Sequence, residues 1–281
     1  MASQQLLFES TSPQAALLVG TFYFLLILTG TVAAGCLLLR LLKSPLDWNL
    51  RIQWIRDRPW TWRENLGVFA AMGFLICLAV TVSALFKKPY ESILLVLQSL
   101  LMDITGLAVI AGVIALRRWN WRTAFGLTSN PLTFLKLGLV CYVVLMPFML
   151  FSSMVYQGLL YAHGIPPSLQ DIALIMSGSK SFWLRVVMAF LAVVIAPIFE
   201  ECLFRGILMP VLIRRLGLGA GIFSTSLLFA SIHAHLPSLA PLTVVAAGFS
   251  LAYLYSRSLW VPIIMHSLFN GVNLMLLFTI H

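Results

Sequence analysis

Long runs of apolar residues, separated by short polar or basic stretches, recur along the whole chain. A helix of about 20 apolar residues spans the hydrocarbon core of a bilayer. The pattern predicts an all-α, polytopic membrane helix bundle of about eight transmembrane helices, of which the sixth and seventh are short enough to be tilted or partly re-entrant. The predicted spans are Ala15–Leu39, Leu66–Phe86, Ile93–Leu116, Leu137–Tyr161, Phe182–Leu203, Leu218–Ile232, Leu239–Tyr255 and Leu259–Ile280.

The composition agrees with a membrane protein. Of the 281 residues, 60% are hydrophobic and 10% are charged, whereas a soluble domain has about 25% charged residues. No Lys or Arg precedes Arg40, so the first apolar run lacks the basic region of a cleavable signal peptide and is predicted to be a transmembrane helix. The four cysteines lie in apolar runs without a Cys-x-x-Cys pair, which argues against a disulfide framework or a zinc ribbon.

The net charge of +9 is explained by membrane topology, and we expect no nucleic-acid partner. Four basic residues lie in the even-numbered connections: Lys87, Lys88, Lys180 and Arg185. Thirteen lie in the odd-numbered ones: Arg40, Lys43, Arg51, Arg56, Arg58, Arg63, Arg117, Arg118, Arg122, Lys136, Arg214, Arg215 and Arg257. Because cytoplasmic loops are enriched in Lys and Arg, this asymmetry predicts cytosolic odd-numbered connections and external termini.

The first connection, Lys43–Asn65, combines basic residues with four tryptophans. Tryptophan and basic side chains favour the membrane–water interface. The segment is therefore predicted to lie in the headgroup region, with the lipid bilayer as its partner. The tryptophans are Trp48, Trp54, Trp60 and Trp62.

Three charged residues interrupt the fifth apolar run in the stretch "FEECLFR". A charge at the centre of a bilayer costs about 2.5–3.5 kcal/mol on insertion scales. Arg205 lies one helical turn from Glu201, so these two side chains are predicted to neutralise each other. Glu200 is rotated by about 100° from Glu201 and is left without a partner on its own face. Pro197 removes a backbone hydrogen bond and is predicted to bend the helix just before the glutamates.

Two further polar patterns follow in later spans. Phe229 and His233 are four residues apart in "FASIH", and His266 and Asn270 share a helix face in "HSLFN". Any single polar group of this kind often serves only to join two helices. Three such patterns on successive helices, able to meet at one depth, favour a functional site. Asp103 in the third span stands alone and is predicted to be structural.

These residue types suit hydrolysis of a peptide bond. A carboxylate in apolar surroundings binds a proton more readily than in water, which suits Glu200 as a base. Imidazole and carboxamide N–H groups from His266 and Asn270 can stabilise an oxyanion. A zinc-dependent reaction is an alternative, with Glu200, His233 and His266 as ligands. No His-Glu-x-x-His motif favours it, so we expect no cofactor.

The sequence resembles the CPBP family in three motifs that follow one another on membrane helices: Glu-Glu-x-x-x-Arg, Phe-x-x-x-His and His-x-x-x-Asn. This family includes the CAAX prenyl endopeptidases and the Abi proteins related to bacteriocin self-immunity. The resemblance covers about Phe182 to Ile280. It implies an intramembrane glutamate-type endopeptidase in which Glu200 and His233 activate a water. His266 and Asn270 then stabilise the oxyanion. Because members were earlier described as metalloproteases, metal dependence stays open.

The same resemblance implies supporting roles for Glu201, Arg205 and Phe229. It divides one continuous membrane domain into N-terminal helices with the interfacial loop, residues 1–181, and catalytic helices, residues 182–281. The implied substrate is a membrane-tethered or lipidated polypeptide. It would be of the CAAX type in a host that prenylates proteins, and of another type in a bacterium. The implied location is a bacterial inner membrane, and no oligomeric state is predicted.

Two other functions remain as alternatives. One is a non-catalytic family member that acts as an immunity or scaffold protein. The complete set of polar residues argues against it, because a protein that only binds does not need them all. The other is a transporter, which also uses intramembrane carboxylates. No internal repeat is apparent in the sequence to favour it.

Overall fold

The computed structural model describes residues 12–85, 91–127, 131–179 and 181–280. Every long element in this part of the chain is a helix. Some residues used in predicting the spans and the charge distribution lie outside this part of the chain, namely Phe86, Lys87, Lys88 and Lys180. The helices are α1 Pro13–Lys43, α2 Trp48–Arg56, α3 Trp62–Leu85, α4 Glu91–Leu116, α5 Trp121–Phe125, α6 Pro131–Ala162, α7 Asp171–Gly178, α8 Phe182–Leu216, α9 Leu218–Ser231, α10 Leu239–Ser256 and α11 Trp260–Ile280.

The predicted all-α membrane bundle is confirmed, and each predicted span overlaps a described helix. Seven of the described helices are long and apolar enough to cross a membrane. The eighth apolar helix, α9, has only 14 residues. At 1.5 Å per residue it is about 21 Å long, shorter than the hydrocarbon core of about 30 Å. Helix α9 is therefore shorter than the hydrocarbon core, in agreement with its short predicted span.

The fifth span differs from its prediction. Helix α8 continues for 35 residues to Leu216 instead of ending at Leu203. It contains two π-helical segments, Leu191–Ile195 and Cys202–Leu208, on either side of the short α-helical stretch Ala196–Glu201. Segments of this type interrupt the regular hydrogen-bond ladder and are frequent at functional sites. Pro197 lies between these two segments, and the bend predicted there stays a prediction.

The largest cluster of buried side chains contains residues from both halves of the chain. Trp60 from the predicted interfacial loop is fully buried, stacks on Phe125 at 5.5 Å, and donates its indole N–H to the Ala124 carbonyl. Trp48 and Trp62 are exposed, as an interfacial segment requires. The loop therefore has two roles, since one of its tryptophans joins the core while others face outward.

Gly206 in the second π-helical segment allows close packing of α5 on α8. A Cβ atom at this position would overlap the Phe125 ring, and that ring is held by Trp60. Overpacking of this kind costs about 1–3 kcal/mol. We expect Gly206→Ala to lower the melting temperature in detergent. Gly158→Ala is the matched control because its Cβ would meet open space; equal melting temperatures for the two variants would contradict the prediction.

Candidate active site

A cavity of about 760 Å³ lies between helices from both halves of the chain. The structure brings the four residues predicted to be catalytic to its wall, together with Phe229. Glu200 comes from α8, His233 follows α9, and His266 and Asn270 come from α11. The short length of α9 matters here, because it places His233 in the turn beyond the helix rather than within it.

Glu201 and Arg205 lie behind this wall and are both fully buried. Arg205 Nη1 donates to Glu201 Oε1 at 2.7 Å, which is the ion pair that the four-residue spacing predicts. Arg205 Nη2 donates to the Ala246 carbonyl at 3.0 Å. The guanidinium carbon lies 4.6 Å from the ring centre of Phe229 and 5.2 Å from that of Phe249. Both rings therefore present their π systems to the buried cation.

His266 links the buried ion pair to the cavity. Its Nδ1 lies 2.9 Å from Glu201 Oε1. Because Glu201 is a carboxylate paired with Arg205, it only accepts, so Nδ1 of His266 carries the proton. The other nitrogen, Nε2, lies 3.8 Å from Glu200 Oε2, which is too far for a hydrogen bond. Glu201 thus fixes the ring so that Nε2 is directed toward Glu200.

His233 is oriented by the helix that it follows. Its Nδ1 donates to the Phe229 carbonyl at 2.9 Å, since a carbonyl can only accept. This bond leaves Nε2 free of the protein backbone. The next residue, Ala234, has a φ of 48°, in the left-handed region that non-glycine residues seldom adopt. The chain thus turns sharply just after His233, which keeps the imidazole at the cavity.

Asn270 is held by a backbone group of α8. Its Nδ2 donates to the Ala192 carbonyl at 2.7 Å. In this π-helical segment the Ala196 N–H bonds the Leu191 carbonyl, five residues earlier. The next such bond to Ala192 would come from Pro197, which has no N–H. The proline therefore leaves a carbonyl free to bind Asn270, and the second Nδ2 hydrogen of Asn270 remains for another acceptor.

The Phe229 ring packs against several side chains of the site. Its ring centre lies 5.0 Å from that of His233 and 5.6 Å from that of His266. Phe249, which the sequence analysis did not single out, lies 5.3 Å from the His266 ring. One short apolar wall therefore holds both imidazoles and the Arg205 side chain. Phe249 carries no sequence signal for such a role, because it is an isolated phenylalanine in an apolar run.

Asp103 also lines this cavity. It lies near enough to Glu200 for the two carboxyl groups to interact electrostatically. The sequence analysis predicted a structural role because no motif surrounds this residue. The structure instead places it with the predicted site residues.

The side chains proposed as alternative zinc ligands do not fit a metal ion as they are arranged. His233 and His266 each donate Nδ1–H to an acceptor, as zinc-binding histidines commonly do. Among the described residues, however, no three His, Cys, Asp or Glu side chains form a group that could hold a metal ion. Glu200 and the two histidines therefore do not form a ready-made set of zinc ligands.

An apolar helical bundle with several membrane-crossing helices defines an integral, multi-pass membrane protein. Residues 181–272 match the family described as Type II CAAX prenyl endopeptidase Rce1-like, so the resemblance found in the three motifs is confirmed for this region. The chain is also similar to the protein named "Putative membrane peptidase YdiL" of Bacillus subtilis (strain 168), with 34% identity over 85 residues. This alignment covers 30% of the chain and 34% of the relative. No solved structure matches the chain.

Proposed function

We propose that this protein is an intramembrane endopeptidase that hydrolyses peptide bonds in membrane-tethered or lipidated polypeptides. One observation carries the proposal: Glu200, His233, His266 and Asn270, from three separate elements, line one cavity inside an apolar bundle. A bundle that needed only to hold its helices together would bury these groups against one another. A tethered substrate can reach such a cavity sideways from the bilayer. The match of residues 181–272 to a family described as endopeptidases supports this reading.

In the first chemical step, the Glu200 carboxylate accepts a proton from a water held between it and His233 Nε2. The resulting hydroxide oxygen bonds to the carbonyl carbon of the scissile peptide. The carbonyl π electrons move to oxygen and form a tetrahedral oxyanion. A carboxylate held within reach of the water is a common general base in such a step.

The oxyanion then needs donors that are already in place. Asn270 offers its second Nδ2 hydrogen, since the first is bound to Ala192. His266 offers Nε2–H when its ring carries both protons. Before the proton transfer, a ring in that state lies between the carboxylates of Glu200 and Glu201, and the charges of Glu200, Glu201, Arg205 and His266 cancel. Charge neutrality lowers the cost of burying the group in apolar surroundings.

Collapse of the intermediate completes the reaction. The oxyanion electrons re-form the carbonyl, and the bond between carbon and nitrogen breaks. Glu200 returns its proton to the leaving nitrogen, which departs as an amine. The immediate products are a carboxylic acid and an amine. Transfer of the acid proton to the amine gives a carboxylate and an ammonium group, and the site regains its initial charge. Glu201, Arg205 and Phe229 support the site by fixing His266 and His233.

The decisive experiment is incubation of the protein, purified in detergent, with a library of lipid-tethered peptides, followed by mass spectrometry with and without chelator. We expect cleavage that resists chelator. Absence of cleavage across the library would favour the non-catalytic or transport alternatives. Cleavage that chelator abolishes, and that zinc restores, would favour the metalloprotease alternative.

Asn270 and Asn273 provide a matched pair for testing the oxyanion role. Both amides line the cavity, but Asn273 Nδ2 donates to the Phe269 carbonyl of its own helix. We expect Asn270→Ala to lower turnover by about 10²–10³-fold, the usual cost of one such donor. Asn273→Ala should cost much less. Equal losses in turnover would indicate that both residues only pack the helices.

We also propose that both termini are external and that the odd-numbered connections are cytosolic, in a bacterial inner membrane. The asymmetric distribution of Lys and Arg supports this orientation. Cysteines placed at Ser44 and at Ser3, which lies outside the described residues, should react with an impermeant reagent from opposite sides. A background without the four native cysteines is the control. Labelling of both positions from one side would contradict the proposed orientation.

A further inference from the structure

Asp103 is directed to the cavity by close packing of α4 on α8. Gly106 lies three residues after Asp103, on the same helix face. A Cβ atom at Gly106 would overlap the Phe199 ring, so the α4 backbone lies directly against that ring. Phe199 immediately precedes Glu200 in the sequence. Asp103 thus lines the same cavity as Glu200, near enough for the two carboxyl groups to interact.

The cavity has one carboxyl group more than its neighbouring cations offset. Arg205 and a doubly protonated His266 offset the charges of Glu200 and Glu201, which leaves Asp103. The cavity lining includes the carboxyl groups of Asp103 and Glu200 and, among the described residues, no Lys or Arg. Arg205 lies behind the wall and is bound to Glu201. Within the described part of the chain, Asp103 makes no hydrogen bond, although α4 and α8 are in direct contact. An acidic side chain that served only to join helices would be expected to bond a neighbouring helix.

We propose that Asp103 is a specificity-determining residue whose carboxylate binds a positively charged side chain, lysine or arginine, of the substrate. This inference rests on the proposed function, because it assigns the substrate class of the same cavity. Since Asp103 and Glu200 occupy one part of the cavity, the bound cation lies within one or two residues of the scissile bond. The apolar wall strengthens the attraction, because it excludes the water that would screen it.

The cation also has room and an apolar route to Asp103. The cavity volume of about 760 Å³ accommodates several side chains of a peptide. Most of its lining is apolar, and Met149, Met176 and Met188 contribute unbranched side chains. Such surfaces suit the four-carbon stem of lysine, which packs against apolar groups while its ammonium group reaches a polar partner.

The test measures binding separately from cleavage. Two lipid-tethered peptides that differ only in lysine or norleucine beside the cleavage position are titrated into the Glu200→Gln protein, and fluorescence anisotropy gives each Kd. We expect the lysine peptide to bind about 10- to 100-fold more tightly, as for one hydrogen bond to a charged group. Asp103→Asn in the same background should bring the ratio close to one. Asp103→Glu should retain most of the preference.

Gln157→Ala is the matched control, because Gln157 is a polar but uncharged residue that lines the same cavity. It should leave the ratio of the two Kd values unchanged. Equal Kd values for the two peptides with Asp103 present would overturn the inference, even if the Asp103→Asn protein cannot be purified. A preference that survives in a folded Asp103→Asn protein would overturn it as well.

The test of Asp103 and the test of peptide cleavage can fail independently of each other. Cleavage of library peptides without preference for lysine or arginine would leave the endopeptidase proposal standing and overturn the assignment of Asp103. A lysine preference that depends on Asp103, in a parent protein that cleaves no peptide, would overturn the proposed enzyme. In that case the cavity would bind cationic peptides without hydrolysing them.

Discussion

Replacing Glu200 by glutamine should leave the protein folded and stop most of its peptide hydrolysis. The substitution keeps the size and shape of the side chain but removes the group that accepts a proton from water. We expect the rate to fall by at least about 10²–10⁴-fold. The melting temperature should stay near that of the parent, because Glu200 Oε2 has no hydrogen-bond partner among the described residues to lose.

The measurement combines cleavage of a lipid-tethered peptide with thermal unfolding in the same detergent. Glu64→Gln is a useful comparison, since Glu64 is also a buried carboxylate on a membrane helix but is bonded to Arg117 and Thr61, away from the cavity. It should lower the melting temperature more than the rate per folded molecule. Hydrolysis at a near-parent rate by Glu200→Gln would remove Glu200 from the proposed mechanism.

Local periodicity was sufficient to predict most of the helices and part of the site. The spans follow from apolar runs of the length that a bilayer requires, and the Glu201–Arg205 ion pair follows from a spacing of four residues on one helix. The same rule places His266 and Asn270 on one face of α11. Each of these features depends only on residues close together in the sequence.

Features that depend on contacts between distant elements could not be predicted in this way. Pro197 indicated an irregular helix, but nothing in the sequence showed that the freed Ala192 carbonyl would bind Asn270, which lies on another helix. The bond from His266 to Glu201 joins residues 65 positions apart. It determines which imidazole nitrogen faces the cavity, and so changes the chemistry available there.

The position of Asp103 also depends on contacts between distant elements and could not be predicted from the sequence. Its isolation in the third span favoured a structural role, because intramembrane carboxylates are easiest to interpret when a motif surrounds them. Its position in the cavity depends on Gly106 packing against Phe199, a contact between two apolar residues on different helices. Phe249 is similar, since one aromatic residue among many gives no sign that it will stack on His266.

Glu201→Gln should have a different main effect from Glu200→Gln, namely a loss of stability. Glu201 Oε1 accepts hydrogen bonds from both Arg205 and His266. The side chains of Glu201 and Arg205 are fully buried. Removing the carboxylate charge leaves the Arg205 guanidinium uncompensated, which costs about 3–5 kcal/mol for a buried pair. The expected result is a markedly lower melting temperature, or a lower yield of folded protein in detergent.

The double variant Glu201→Gln with Arg205→Met tests the cause of this loss. Arg205 Nε and Glu201 Oε2 have no hydrogen-bond partner among the described residues, so the pair is incompletely satisfied even in the parent. Removing both charges should therefore cost less than removing one, and the double variant should recover part of the lost stability. Methionine also fills much of the arginine volume between Phe229 and Phe249. A Glu201→Gln protein that melts like the parent but cannot cleave peptides would instead assign the proton acceptor to Glu201, with Glu200 in the supporting role.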